Sequence, residues 1–208
     1  RTAVLIEGAR RVGKSTLARQ FAENEYESYV MIDFSIVKKD ILELFDSIAD
    51  LDYFFLQLQF RLGVSLKERK SLIIFDEVQM CPKARQAIKH LVADGRYDYI
   101  ETGSLISIRK NVKDIVIPSE EEKMVLHPLD YEEFKWALGD TTTIAQMRMI
   151  FEKRLSMGDA VTRKLMRDFR LYMAVGGMPQ AVCEYLETNN LMEVDRVKRG
   201  IIQLYEDD

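Results

Sequence analysis

Eight residues near the start of the chain, Gly8-Ala9-Arg10-Arg11-Val12-Gly13-Lys14-Ser15, fit the spacing G-x-x-x-x-G-K-[ST] with no position forced. The flanks constrain the fold further. Thr2-Ala3-Val4-Leu5-Ile6 is short, apolar and β-branched, the pattern of a parallel strand buried on both faces. In Thr16 to Ala22, Leu17 and Phe21 with the small Ala18 and Ala22 recur at helical spacing, so a helix opens near Gly13. Between a strand and a helix, two glycines let successive backbone N–H groups converge on phosphate oxygens without Cβ obstruction. The helix N-terminus adds partial positive charge at the same point. Gly8 to Thr16 is thus a candidate phosphate cradle, with Lys14 reaching the β- and γ-phosphates and Ser15 ligating Mg²⁺. The alternative is a glycine turn that carries Lys-Ser by chance.

A second landmark is Ser71-Leu72-Ile73-Ile74-Phe75-Asp76-Glu77, a buried strand ending in two carboxylates. In open parallel sheets the ligand crevice lies at the C-terminal strand ends. There Asp76 would hold Mg²⁺ through water, and Glu77 would orient and deprotonate an attacking water. The competing role for the pair is capping of the next helix. Tyr97 to Ser104 reads as a further strand ending in Thr102-Gly103-Ser104, where a hydroxyl, Ser104 above all, can meet a γ-phosphate or the attacking water. An ordinary strand-to-loop turn is the bland alternative there.

Between these landmarks, Ser28 to Phe34 reads as a strand, with Asp33 near its end favoured as a cap over a nucleotide contact. Helical patterns cover 39–49, 52–62 and 82–93, the aromatic-rich second one packing as core. Glu120-Glu121-Glu122-Lys123 reads as a solvated charged turn before a fifth strand, Met124 to Leu129, closed by Pro128. Asp130 caps a helix from Tyr131 to Leu138, with Glu133 at the capping-box position. The polar Gly139-Asp140-Thr141-Thr142-Thr143 segment marks a domain boundary, giving units at 1–139 and 140–208. Beyond it the pattern is all helical: one apolar stripe over Ile144 to Leu155, a second over Val161 to Met173, then a break at Gly176-Gly177-Met178-Pro179.

Net charge is −4, so nothing in the balance demands nucleic acid or an anionic membrane surface. Between Arg148 and Arg170 seven basic residues face three acidic ones, and a solvated helix surface is favoured there over a nucleic-acid face. No apolar run reaches the length of a membrane span. Cys81 and Cys183 lie far apart, which suits a reducing cytoplasm better than a disulfide scaffold. The chain starts without methionine and ends inside a helical pattern, as a fragment of a longer protein would.

Taken together, these motifs resemble the prokaryotic AAA-type ATPases that sit beside the STAND signalling ATPases among P-loop proteins. The resemblance rests on Gly-Ala-Arg-Arg-Val-Gly-Lys-Ser-Thr-Leu, with its paired arginines Arg10 and Arg11, and on Phe75-Asp76-Glu77-Val78-Gln79. Thr102-Gly103-Ser104 is similar to the family's sensing strand end, and His127-Pro128-Leu129-Asp130-Tyr131-Glu132-Glu133-Phe134 to its Pro-Leu-x-x-x-E-F segment. Gly176-Gly177-Met178-Pro179 resembles the G-x-P signature of a helical lid, which makes Pro179 a nucleotide-contact candidate. The resemblance implies an α/β fold: a P-loop parallel sheet in the order 5-1-4-3-2 with helices on both faces, followed by a small all-α lid. It also implies ATP rather than GTP, since Asn111-Val112-Lys113-Asp114 has the guanine-reading N-K-x-D residues out of order.

No arginine finger is assignable by this resemblance; Arg109 is a candidate only by its place after the sensing strand. The expected function is therefore a Mg²⁺-dependent, slow ATP-hydrolysing switch. ATP and ADP are its ligands, and a protein partner or a further C-terminal domain its target. Two rivals stay open: a P-loop kinase acting on a small molecule, and a nucleotide-binding scaffold without turnover.

Overall fold

Six consecutive residues of Ser71–Asp76 are fully enclosed, which only a strand in the middle of a sheet covered on both faces can achieve. The computed structural model, described over residues 2–104 and 120–206, places that strand inside a five-stranded parallel sheet. The strands are β1 (Ala3–Gly8), β2 (Ser28–Asp33), β3 (Ser71–Asp76), β4 (Asp98–Ser104) and β5 (Glu121–Leu126), in the spatial order β2-β3-β4-β1-β5. This is the expected order, with β4 between the strands that carry the two landmarks. Arg109 and Asn111 to Asp114 lie outside the described residues.

Parallel neighbours need crossovers, and helices supply them. Here α1 (Lys14–Glu25) packs Ala18 and Ala22 on one face, over Ile6, Leu72, Ile74 and Ile100. On the other face lie α2 (Lys39–Leu44), α3 (Leu51–Leu62) and α4 (Pro82–Asp94). Their core is aromatic, with Phe34, Phe45, Phe54, Phe55 and Phe75 meeting at centroid distances of 5.3–5.6 Å. These rings fill the core and offer no stacking platform.

The fifth strand corrects the sequence reading. It runs from Glu121 to Leu126, so residues expected in a solvated charged turn are ladder residues, with Ala3 opposite Glu121 and Leu5 opposite Lys123. The free edge of β1 recruits whatever backbone arrives in register. Glu122 and Lys123 stay exposed on this edge strand, while the Glu121 side chain is buried against Arg85. His127-Pro128-Leu129 is not strand. Leu129 N–H instead donates to Gly177 O at 2.7 Å, and Tyr172 Oη donates to Leu129 O at 2.9 Å.

The chain divides into two units, Arg1–Leu126 and His127–Asp208. This division falls ahead of the 139–143 segment because α5 (Tyr131–Ala137) buries Phe134 among Val175, Ala181, Val182 and Val194 of the helical unit. The capping box on α5 forms as expected: Asp130 accepts from Glu133 N, and Glu133 accepts from Asp130 N. The rest of the unit is α6 (Thr143–Glu152), α7 (Gly158–Val175), α8 (Pro179–Thr188) and α9 (Leu191–Glu206). The stripe expected over Ile144 to Leu155 is helical but not core. No residue of α6 is buried, and Phe151 and Leu155 are exposed. In the second stripe Leu165 is buried while Val161, Phe169 and Met173 stay largely exposed.

Candidate active site

The ends of β1, β3 and β4 assemble one cluster. Gly8 is in register with Ser104 on one side and Leu126 on the other, which sets the loop's entry at the C-terminal edge of the sheet. A Cβ on Gly8 would lie 2.5 Å from Leu126 O and 3.1 Å from Val12 Cγ1, so only glycine fits that gap. Gly13 then takes φ 102° to turn the chain into α1, and Arg11 sits at φ 61°. These left-handed residues turn the loop back on itself, so that Ala9 O accepts from Val12 N.

Lys14 is 95% buried, and its Nζ donates to Gly8 O at 3.2 Å and Ala9 O at 2.9 Å. Burial lowers its pKa, while the charges of Glu77 and then Asp76 act the other way. Both carboxylates act on the ammonium electrostatically, although Asp76 lies far from Lys14 in the sequence. Ser15 Oγ donates to Asp76 Oδ1 at 2.8 Å. A hydroxyl and a carboxylate at that separation form a hard-oxygen pair of the kind Mg²⁺ takes, with phosphate and water completing the shell. No group of three or more His, Cys, Asp or Glu side chains able to hold a metal occurs among the described residues.

Sequence reasoning missed the part played by Thr102. Its hydroxyl donates to Asp76 Oδ1 and accepts from Glu77 N–H at 3.3 Å, tying β4 to the Asp76 carboxylate and to the Glu77 backbone. Period two along β4 puts Thr102 and Ser104 on the same face, which was the available signal. Ser104 is 97% buried at the strand end beside Gly8. Glu77 adopts φ 54°, ψ 46°, and its Oε2 accepts from the side-chain amide of Gln79. Asp33 does not cap a helix: its Oδ1 accepts from Ser35 N and Oγ, closing the turn after β2, and Lys38 holds the N-cap position of α2.

A strand, a glycine loop, a helix, and an acidic pair on the next-but-one strand therefore meet at one sheet edge. The family model described as an AAA domain matches residues 1–135. The chain belongs to the AAA domain family. Among solved structures, this AAA domain is similar to the Aeropyrum pernix ORC1 protein in complex with DNA (13% identity, TM-score 0.41, 68% of this chain and 43% of that one). It is also similar to C. elegans PCH-2 (14%, 0.36, 71% and 40%) and to Hsp104 with ATPγS and FITC-casein (15%, 0.41, 73% and 27%). The chain spans less than half the length of each. No curated protein matches.

Pro179 belongs to the helical unit, at the first turn of α8. The glycine before that turn has a packing role: a Cβ on Gly177 would overlap the Leu129 carbonyl. Of the basic residues on the helices, Arg148 pairs with Glu132, and Arg167 lies 3.6 Å from Asp168. No helix among the described residues is long and apolar enough to cross a membrane. Cys81 and Cys183 are both free thiols.

Proposed function

We propose that this AAA domain binds ATP with Mg²⁺ and hydrolyses it slowly, as a conformational switch in the cytoplasm. The observation that carries the reading is the convergence of Ser15, Asp76, Thr102 and Glu77 beside the Lys14 loop. The triphosphate would lie on the loop N–H groups from Ala9 to Thr16, with the Lys14 ammonium exchanging its loop carbonyls for β- and γ-phosphate oxygens. Ser15 and Asp76 would hold Mg²⁺, which supplies charge neutralisation on the phosphates.

Glu77 accepts a proton from a water whose oxygen attacks the γ-phosphorus. The bond from that phosphorus to the β,γ-bridging oxygen breaks, and ADP keeps the electron pair. Inorganic phosphate retains the water oxygen, and the proton passes from Glu77 to solvent. Ser104 at the β4 end would hydrogen-bond the γ-phosphate. Slow turnover follows from the lack of an assigned arginine finger, a group worth about 10³–10⁵ in rate where it acts. The helical unit, with Pro179, would act as a lid whose docking reports the nucleotide state to a protein partner or a further domain.

The test is phosphate release from ATP and Mg²⁺ by the parent chain and by Glu77→Gln, with nucleotide affinity measured by calorimetry. Glu77→Gln keeps shape but accepts no proton, so affinity should hold while turnover falls by about 10²–10⁴. Lys14→Ala should lose at least about tenfold in affinity, roughly 1.4 kcal/mol. Unchanged affinity in Lys14→Ala would place the nucleotide elsewhere. Turnover at the parent rate in Glu77→Gln would make Glu77 a turn residue only.

A further inference from the structure

Gln79 is 94% buried on the short 3₁₀ turn between β3 and α4, and its two amide ends are treated differently. Nε2 donates to Glu77 Oε2, while the buried Oε1 has no hydrogen-bond partner among the described residues. A buried acceptor left unpaired lowers stability, and an apolar side chain of the same length would avoid the loss. A purely structural position would favour leucine or methionine here. The amide instead serves Glu77, whose Oε2 it holds.

Glu77 is already constrained in its backbone. It holds a left-handed φ that a glutamate adopts only when its surroundings dictate it, and its N–H is tied to Thr102 Oγ1. Fixing the backbone leaves the side-chain torsions free, and a base that wanders loses most of its effect on a positioned water. The Gln79 amide removes that freedom at one carboxylate oxygen and leaves Oε1 for the water.

We infer that Gln79 is a positioning residue for the general base, orienting the Glu77 carboxylate through Oε2 without touching nucleotide. The inference rests on the hydrolytic reading above.

The experiment compares the parent chain, Gln79→Met, Gln79→Leu, Glu77→Gln and the double variant Glu77→Gln/Gln79→Met, each for nucleotide affinity and single-turnover hydrolysis. Both Gln79 variants should bind ATP within twofold of the parent and hydrolyse it at least tenfold more slowly. In the Glu77→Gln background, Gln79→Met should change the residual rate less than twofold, because there is no carboxylate left to orient. Thermal unfolding should show Gln79→Met and Gln79→Leu at least as stable as the parent, since each deletes a buried unpaired oxygen. Parental rates in both Gln79 variants overturn the inference and leave the ATPase reading standing. An equal rate loss with and without the Glu77 carboxylate overturns it too, by making Gln79 a structural residue. A parent chain that binds ATP and never releases phosphate sinks the hydrolytic reading, and the inference with it.

Discussion

Ser15 lies in the first turn of the first helix and Asp76 closes the third strand, and across 61 positions of sequence their side chains meet at 2.8 Å. The contact joins the phosphate loop to the acidic strand end, and it is where a hard cation would bind. Ser15→Ala and Asp76→Asn should each reduce the gain in ATP affinity that Mg²⁺ provides by about tenfold, about 1.4 kcal/mol. Affinity for ATP in the absence of Mg²⁺ should move little. Titrations with and without Mg²⁺ check this; a Mg²⁺ effect of parental size in both variants would move the metal away from this pair.

Gly8 is tested by adding one carbon. Gly8→Ala places a Cβ 2.5 Å from the Leu126 carbonyl, backbone that cannot swing aside as a side chain does. The β5 strand or the loop must shift, at a cost of about 1–3 kcal/mol in stability. ATP affinity should fall with it. Denaturant unfolding and calorimetry on the same sample separate the two effects, and parental values in both would mean the β1–β5 gap is looser than it looks.

Arg85, Glu101 and Glu121 form a buried charge cluster between α4, β4 and β5. Arg85 Nη2 lies 3.2 Å from both Glu121 oxygens, and the side chains of Arg85 and Glu121 are 1% and 0% exposed. Glu101 is fully buried beside them. Desolvation, then the Glu121 charge, push its pKa well up, while Arg85 pulls it down. Two carboxylates share one guanidinium there, and the raised pKa favours the protonated form of Glu101. The stability this proton gives is complete below the ordinary glutamate range and is lost as pH rises through the raised value. Glu101→Gln, which mimics the protonated form, should therefore flatten that decline and match or exceed parental stability at neutral pH. Glu101→Gln/Glu121→Gln leaves Arg85 buried with neither carboxylate and should lose about 3–5 kcal/mol. Urea midpoints from pH 5 to 9 measure both; a Glu101→Gln variant less stable than the parent at neutral pH would mean that Glu101 is ionised.

The helical unit offers a separate test at Gly177. Its carbonyl accepts from Leu129 N–H at 2.7 Å, and a Cβ there would collide with the Leu129 backbone. Gly177→Ala should destabilise the unit by about 1–3 kcal/mol. Pro179→Ala, two residues on, should be mild for folding and should lower nucleotide affinity by about 1 kcal/mol if the lid closes over ATP. Protease protection of the 139–143 segment by ATP reads out the closure, and cleavage indifferent to ATP in the parent would rule it out.

The amino-acid sequence by itself determined what local windows can hold. The Gly8–Ser15 spacing, the strand before it and the helix after it needed no partner to be read. The same is true of the apolar run ending in Asp76-Glu77 and the Asp130–Glu133 capping box, because turn chemistry and side-chain period act over a few residues. The sheet order came from family resemblance to those motifs, not from spacing. Tertiary structure decided the rest. Glu121 looks solvated in a run of three glutamates, and only its pairing with β1 in register with Ala3 turns it inward to Arg85. Thr102 and Gln79 are ordinary polar residues until parallel pairing of β3 with β4 sets one hydroxyl on Asp76 and the turn after β3 folds an amide onto Glu77. Pro128-Leu129 continues an apolar pattern, yet the Leu129 backbone bonds go to Gly177 and Tyr172, more than forty positions downstream. In each case the deciding partner is distant in sequence and is fixed by register and close packing, which no window of neighbouring residues encodes.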